Sequence, residues 1–411
     1  DGGGAEYYSD NCATVVTRCA FSGNSGGTNL NDRVYGNGGG QAFTTGCSAT
    51  VINSSYLNNA TEGNGGALYC WYDCDLDIRD TTFTTNDANT AWTSAGGAIY
   101  GGGVFQNSIQ GYYNGGTIRV QNCQFKGNDA VFGGGMYWYG YDADVSVTDS
   151  AFRDNVAYHG GALYWSDGAP TINNCIIRGN TALGGPAAYY VPAPAVDPNN
   201  PNTWPPADEW PIPGDVNSIL DPGYTPPPIL VPSDAKCGTG GGLYCLSSEA
   251  LIENSLISDN VARGVGGGVY FADGMPTLKN CLVSGNTAFI GGGGVGSHWS
   301  AAPMITNCTI IANEASDPND PTRGYGGGLF CSYESQTILV NSILWNNEGR
   351  FGSQIAIGSK DDPIYLQRPA GLTVRFSDVQ GGQAGVAVET GRTLNWLEGN
   401  LDSDPLFVAP Y

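Results

Sequence analysis

The sequence predicts an all-β fold: a parallel β-helix, or β-solenoid, of about eleven coils with one long Pro-rich insertion. Three observations predict it. First, one phrase recurs about ten times, a Gly-Gly strand followed by a strand of the form N-C-x-F-x-x-N, at a spacing of 25 to 27 residues where nothing intervenes. Self-similarity at such a period is the mark of a solenoid. Second, apolar residues alternate at period 2 in short runs such as Ile172 to Ile177, where a helical repeat would need period 3.6. Third, 63 Gly and 23 Pro among 411 residues exclude long helices.

The second half of the phrase sets the ladders. Asn24, Asn59, Asn86, Asn128, Asn155, Asn180, Asn260, Asn286, Asn313 and Asn347 each lie five residues after a small residue. Those small residues are Cys19, Ser54, Thr81, Cys123, Ser150, Cys175, Ser255, Cys281, Cys308 and Ser342. Between them stands an apolar side chain, as in Phe21, Tyr56, Phe83, Phe125, Phe152 and Ile177. A coil of about 26 residues accommodates three short strands and three turns, and coils stack by parallel pairing at roughly 4.8 Å. The asparagines then form a structural column of inward turn amides, each bonding its neighbours along the axis.

The first half of the phrase is carried by Gly65-Gly66-Ala67-Leu68-Tyr69, Gly96-Gly97-Ala98-Ile99-Tyr100, Gly160-Gly161-Ala162-Leu163-Tyr164, Gly241-Gly242-Leu243-Tyr244 and Gly267-Gly268-Val269-Tyr270. Together with Phe125-Lys126-Gly127-Asn128 and Phe152-Arg153-Asp154-Asn155, these segments resemble the GGA(I/L) and FxxN repeats of chlamydial polymorphic outer-membrane proteins. More broadly they are similar to secreted bacterial right-handed parallel β-helix repeat proteins. The likeness covers most of the chain outside the insertion. It implies a right-handed solenoid and a secreted or cell-surface location, and it leaves function open because that fold hosts adhesins, enzymes and scaffolds alike.

Along the chain, coils are expected over residues 1–185 and a Pro- and aromatic-rich arm over 186–236. Further coils and a closing segment follow over 237–411, all in one continuous solenoid domain. The arm holds about a dozen prolines with Tyr189, Tyr190, Trp204, Trp210 and Tyr224, and such a segment cannot be strand in a sheet interior. Its aromatic content argues against disorder. Smaller extra loops enter near 26–38 and 101–115.

A formal charge of −22 with only 16 basic residues argues against nucleic acid as a partner. It argues equally against an acidic polysaccharide held over a broad surface. No apolar run is long enough to span a membrane. The chain opens at Asp1 without Met or a signal-like segment, as expected if a leader was removed or the numbering begins inside a longer precursor. Twelve cysteines are many for a cytosolic protein. Most fall in inward columns, where they act as small hydrophobes. Cys12, Cys47 and Cys74 stand apart, each seven residues before the small residue of its coil, so they stack at one turn within disulfide reach.

Three surface columns are candidate sites. Tyr69, Tyr100, Tyr137, Tyr164, Tyr244, Tyr270 and Phe330, with Tyr7, share an outward position. As an exposed aromatic strip they would hold a sugar chain, a neighbouring subunit or the arm. Lys126, Arg153 and Arg178 follow the inward Phe or Ile in three consecutive coils, with Asp154 the one obvious carboxylate on the same strand. Asp73, Asp142, Asp167 and Asp273 share a turn position, with Asp75 and Asp144 two residues on. Turn chemistry explains Asp-Gly there, and stacked Asp142 and Asp167 are weak candidates for Ca²⁺, the one cofactor considered and not a required one. The Asp317-Pro-Asn-Asp-Pro and Asp197-Pro-Asn-Asn-Pro loops are weaker calcium candidates still. His159 and His298, the only histidines, sit in different coils and build no catalytic constellation.

The resulting expectation is a non-enzymatic, secreted structural protein that forms a filament or tube with other copies of itself. The grips would be its uncapped solenoid ends, its 186–236 arm with Trp204 and Trp210, or both. The alternatives are a glycan-binding adhesin that uses the tyrosine column, and a β-helix polysaccharide lyase or hydrolase that uses the basic column.

Overall fold

The computed structural model describes residues 4–26, 37–71, 74–88, 95–102, 116–140, 144–184, 238–359 and 369–407. Within them the chain winds as a right-handed parallel β-helix whose strands form four sheets. Sheet 1 runs from Glu6–Tyr8 to Ala387–Val388 and sheet 2 from Ala13–Thr17 to Thr393–Trp396, each with 12 strands. Sheet 3 has 11 strands, from Ala20–Ser22 to Asp378–Val379. Twelve coils therefore stack, one more than the repeat count predicts, over roughly 50–55 Å at one strand spacing per coil.

The expected three strands per coil are in fact four. Sheet 4 consists of 10 short strands, from Ser25–Gly26 to Glu348–Gly349, which follow the asparagine turn. Period-2 patterning cannot reveal a two-residue strand, which is why the sequence reading folds it into a turn. Its inward residue is small, as in Ala88, Ala157, Ala182, Ala262 and Ala288, all fully buried.

The small side chain has a physical reason. Beyond sheet 4 the chain turns through Gly-Gly to start the next coil. The first glycine holds a left-handed conformation, as at Gly160 (φ 64°) and Gly266 (φ 72°). The second is pressed between two backbones: a Cβ on Gly161 would lie 2.2 Å from the Gly241 carbonyl oxygen and 2.7 Å from the Thr181 nitrogen.

The asparagine column forms as predicted. Each amide accepts from the preceding asparagine and donates to the next, as in Asn128 Nδ2 to Asn155 Oδ1 and Asn155 Nδ2 to Asn180 Oδ1, both 2.9 Å. The second amide hydrogen goes to a buried carbonyl, for example Asn155 Nδ2 to Phe125 O at 3.1 Å. The column runs unbroken from Asn24 to Asn347, where Gln354 closes it (Asn347 Nδ2 to Gln354 Oε1, 2.6 Å). Inside it the rings of Phe21, Tyr56, Phe83, Phe125 and Phe152 stack with centroids 4.4–5.0 Å apart.

The solenoid continues across the segment 185–237. Leu163 pairs in register with Leu243, and Asn180 Nδ2 reaches Asn260 Oδ1 at 2.9 Å. Tyr189, Tyr190, Trp204, Trp210, the rest of the arm, Asp73 and Asp142 lie outside the described residues.

Candidate functional site

The tyrosine column is in register as the repeat requires, with Tyr69, Tyr100, Tyr137, Tyr164, Tyr244 and Tyr270 paired in succession along sheet 1. Gly296 then interrupts it before Phe330. The rings point away from the solenoid interior, yet the expected exposed strip does not exist. Tyr100, Tyr137, Tyr164, Tyr270 and Phe330 are buried, Tyr69 nearly so, and only Tyr244 is half-buried. Tyr7 is exposed but is separated from the column by Ala42.

The cover comes from side chains at the ends of neighbouring strands, Phe132 and His159 closing sheet 4 strands and His298 a sheet 1 strand. Phe132 meets Tyr164 edge-on at 5.3 Å, His159 meets Tyr244 at 6.1 Å, and His298 lies between Tyr270 and Phe330 at 5.4 and 5.1 Å. The column is thus an outer hydrophobic core. Period 2 placed it correctly but could not show what packs over it. The two histidines belong to this packing.

The basic column forms and is open to solvent. Lys126 pairs in register with Arg153, and Arg153 with Arg178, on the outer face of sheet 3. Like charges directly opposite one another across neighbouring strands are destabilising. Arg178 Nε is bonded to Asp259 Oδ2 at 2.8 Å. Among the described residues, Lys126 and Arg153 have no ion-pair partner. Asp154 stands to Lys126 as Asp259 stands to Arg178, one coil on, but makes no ion pair with it. Gly179 occupies the corresponding place for Arg153.

The carboxylates are mostly committed to local structure. Asp167 and Asp273 hold left-handed backbone (φ 65° and 62°), and Asp273 Oδ1 accepts from the Gly274 N–H. Asp75 accepts from the Thr117 N–H at 2.7 Å, and Asp144 pairs with Arg119 at 3.1 Å. Among the described residues no three His, Cys, Asp or Glu side chains converge as metal ligands. Asp317 and Asp320 both clamp Arg323 at 3.2 Å, which shapes one wall of a polar cleft of about 450 Å³. Glu314 and Glu348, in register on sheet 4, and Arg350 line the rest. The sequence reading saw the loop but not the glutamate pair, because sheet 4 was not foreseen.

A second, exposed asparagine column also went unread, though its signal stands in the phrase itself as the Asn before the small residue. Asn280 donates to Asn254 at 3.1 Å, Asn307 to Asn280 at 3.1 Å and Asn341 to Asn307 at 2.7 Å, all in left-handed backbone.

Cys12, Cys47 and Cys74 do stack at one turn, but as free thiols, correcting the disulfide expected there. Each donates to a carbonyl three residues back, on Ser9, Thr44 and Trp71, at 2.8–2.9 Å, which turns the sulfur to its own turn. In the inward columns, burial pushes the thiols of Cys123, Cys245 and Cys331 up to about 12 and that of Cys175 to about 11. A hydrogen bond with Cys308, together with burial, likewise raises Cys281.

These shifts carry an expected result. A thiol reagent at pH 8 should label exposed Cys19 in the folded protein and leave Cys123, Cys175, Cys245 and Cys331 unlabelled until it unfolds. Their folded values exceed the ordinary 9.0, so the stability they reflect is complete below pH 9 and is lost as pH rises toward about 12. Buried Tyr56 and Tyr137 are raised by burial and act in the same direction. A urea midpoint that does not fall between pH 8.5 and 11 would contradict this.

A family comparison agrees with the fold over part of the chain. The right-handed β-helix region family matches residues 236–402. A stretch of 143 residues is 30% identical to "Probable autotransporter YfaL" of Escherichia coli (strain K12), covering 33% of this chain and 11% of that protein. The chain thus spans about a tenth of the length of that relative. A crystal structure of a mutant of the periplasmic alginate epimerase AlgG is similar with a TM-score of 0.38 at 10% identity, covering 89% of this chain and 73% of that one.

Proposed function

We propose that this chain is a rigid, non-enzymatic body of an extracytoplasmic surface protein, and that its copies associate through the ends of the solenoid. The observation that carries the reading is the continuity of the register. Twelve coils are tied by sheets 1 and 2, and ten of them also by sheet 4 and an unbroken asparagine column, including across the junction of Leu163 with Leu243. A stack in which every coil is pinned to the next is a stiff rod, suited to holding a display element away from a surface. The partial likeness to an autotransporter supports the location.

End contacts are supported by exposed apolar side chains on the outermost described coils. These are Tyr7 and Val15 on one, and Val388, Leu397, Leu401, Leu406 and Phe407 on the other. Exposed apolar patches mark contacts. Burial of Tyr137 and Tyr164 speaks against the glycan adhesin that would use them.

Incubation with a panel of polysaccharides is expected to release no unsaturated or reducing ends; reproducible release would sink the non-enzymatic reading. Electron microscopy and sedimentation at rising concentration should show end-to-end oligomers that Val15→Asp with Leu406→Asp disperses. Monomers at every concentration would remove the assembly.

A further inference from the structure

We infer that the Lys126, Arg153 and Arg178 column is a binding strip for a single, linear, anionic polysaccharide lying along the solenoid axis. Three of the chain's 16 basic residues stand in register on consecutive strands, where they repel one another. The fold does not require this. Their strand-mates at the same position in other coils are Leu57, Thr84, Ser258 and Ser284, which serve the sheet without charge. Among the described residues, Arg178 alone of the three is neutralised, by Asp259. Arg153, the middle cation, faces Gly179 where Arg178 faces a carboxylate, so its guanidinium fork is free for a bidentate anion.

The shape of the strip selects the ligand. It is one side chain wide and spaced at the strand separation, roughly 4.8 Å per cation. The chain's formal net charge of −22, carried outside the strip, repels any broad polyanion, so a duplex nucleic acid is disfavoured. A single-stranded nucleic acid would use aromatic rings for its bases. The row beside the cations instead carries Gln124, Ala151 and Ile176, a low shelf on which a sugar chain lies flat. What remains is a narrow chain with an anion at regular intervals, such as a polyuronate or a sulfated glycan. The strip is independent of the end contacts proposed above.

The test is calorimetric titration of the intact chain at low and high salt. The probes are oligogalacturonates of two to eight units, a sulfated oligosaccharide series, neutral dextran and single-stranded oligo-dT. Binding of an anionic series is expected to strengthen with length up to the span of three cations, and to weaken as salt rises. Lys126→Gln with Arg153→Gln should weaken it roughly five- to thirty-fold, while Arg79→Gln, on another sheet, should leave it unchanged. Both strip residues are exposed, and the double variant should melt no lower than the parent because a repulsion is removed. Failure of both anionic series to bind at low salt overturns the inference. So does equal binding of dextran, tighter binding of oligo-dT, or anion binding that the double variant retains in full.

Discussion

Asn155→Ala is expected to lower stability by on the order of 4 kcal/mol, the loss from removing four buried hydrogen bonds. The amide of Asn155 makes four hydrogen bonds at once, to three residues. Its Oδ1 accepts from the Asn128 backbone N–H at 3.0 Å and from Asn128 Nδ2 at 2.9 Å. Its Nδ2 donates to Phe125 O at 3.1 Å and to Asn180 Oδ1 at 2.9 Å. All of this is sealed from water, since Asn128, Asn155 and Asn180 are fully buried. Alanine removes all four bonds, leaving Asn180 Oδ1 only the Asn155 backbone N–H and Asn128 Nδ2 only Phe83 O. Asn155→Asp keeps the shape but cannot donate, and it adds a buried charge, so it should be at least as damaging. The comparison variant is Asn174→Ala, at the exposed position equivalent to Asn254, where water replaces the lost bond to Asp149 and the remaining cost is the left-handed strain of alanine at φ 54°. Guanidinium melts of the three variants decide the matter: an Asn155→Ala loss no larger than that of Asn174→Ala would falsify the role of the inner column.

Gly267→Ala is expected to cost at least about 3 kcal/mol, at the upper end of overpacking. A Cβ there would stand 2.4 Å from the Gly293 oxygen and 2.5 Å from the Thr287 oxygen. Both are backbone atoms tied into stacked coils, so neither can move without parting the coils. Gly23→Ala is the control: its φ is +65°, and a Cβ would meet nothing within 4 Å. That variant should lose only the roughly 1–2 kcal/mol of left-handed strain. Thermal melts and limited proteolysis read both. Equal losses would mean that conformation, not crowding, selects the second glycine.

The repeat made the fold legible because a solenoid writes each contact many times. A column of ten asparagines at one register position admits one arrangement, and the amides of Asn24 to Asn347 take it. The same logic found the stacked Lys126, Arg153 and Arg178 and the outward direction of the tyrosines. In each case period 2 and the coil length fix direction and neighbour, which are local properties of strands.

Packing between the outer faces of neighbouring sheets was not legible. The sequence could place Tyr137 and Tyr164 outward, but only the tertiary structure shows Phe132 over them, because that contact joins the end of a sheet 4 strand to strands of sheet 1. Nor could stacking alone tell a disulfide from three thiols at Cys12, Cys47 and Cys74, since the outcome depends on which way each sulfur turns, and the Ser9, Thr44 and Trp71 carbonyls turn them away from bridging. Sheet 4 and its Glu314 and Glu348 pair escaped because two residues are too few to show a period. The sequence by itself therefore determined the coil, its ladders and the faces of its strands. Only the tertiary structure decided which of those faces meet water, because burial on the outer surface of sheet 1 is set by side chains such as Phe132, His159 and His298 that reach over it from the ends of neighbouring strands.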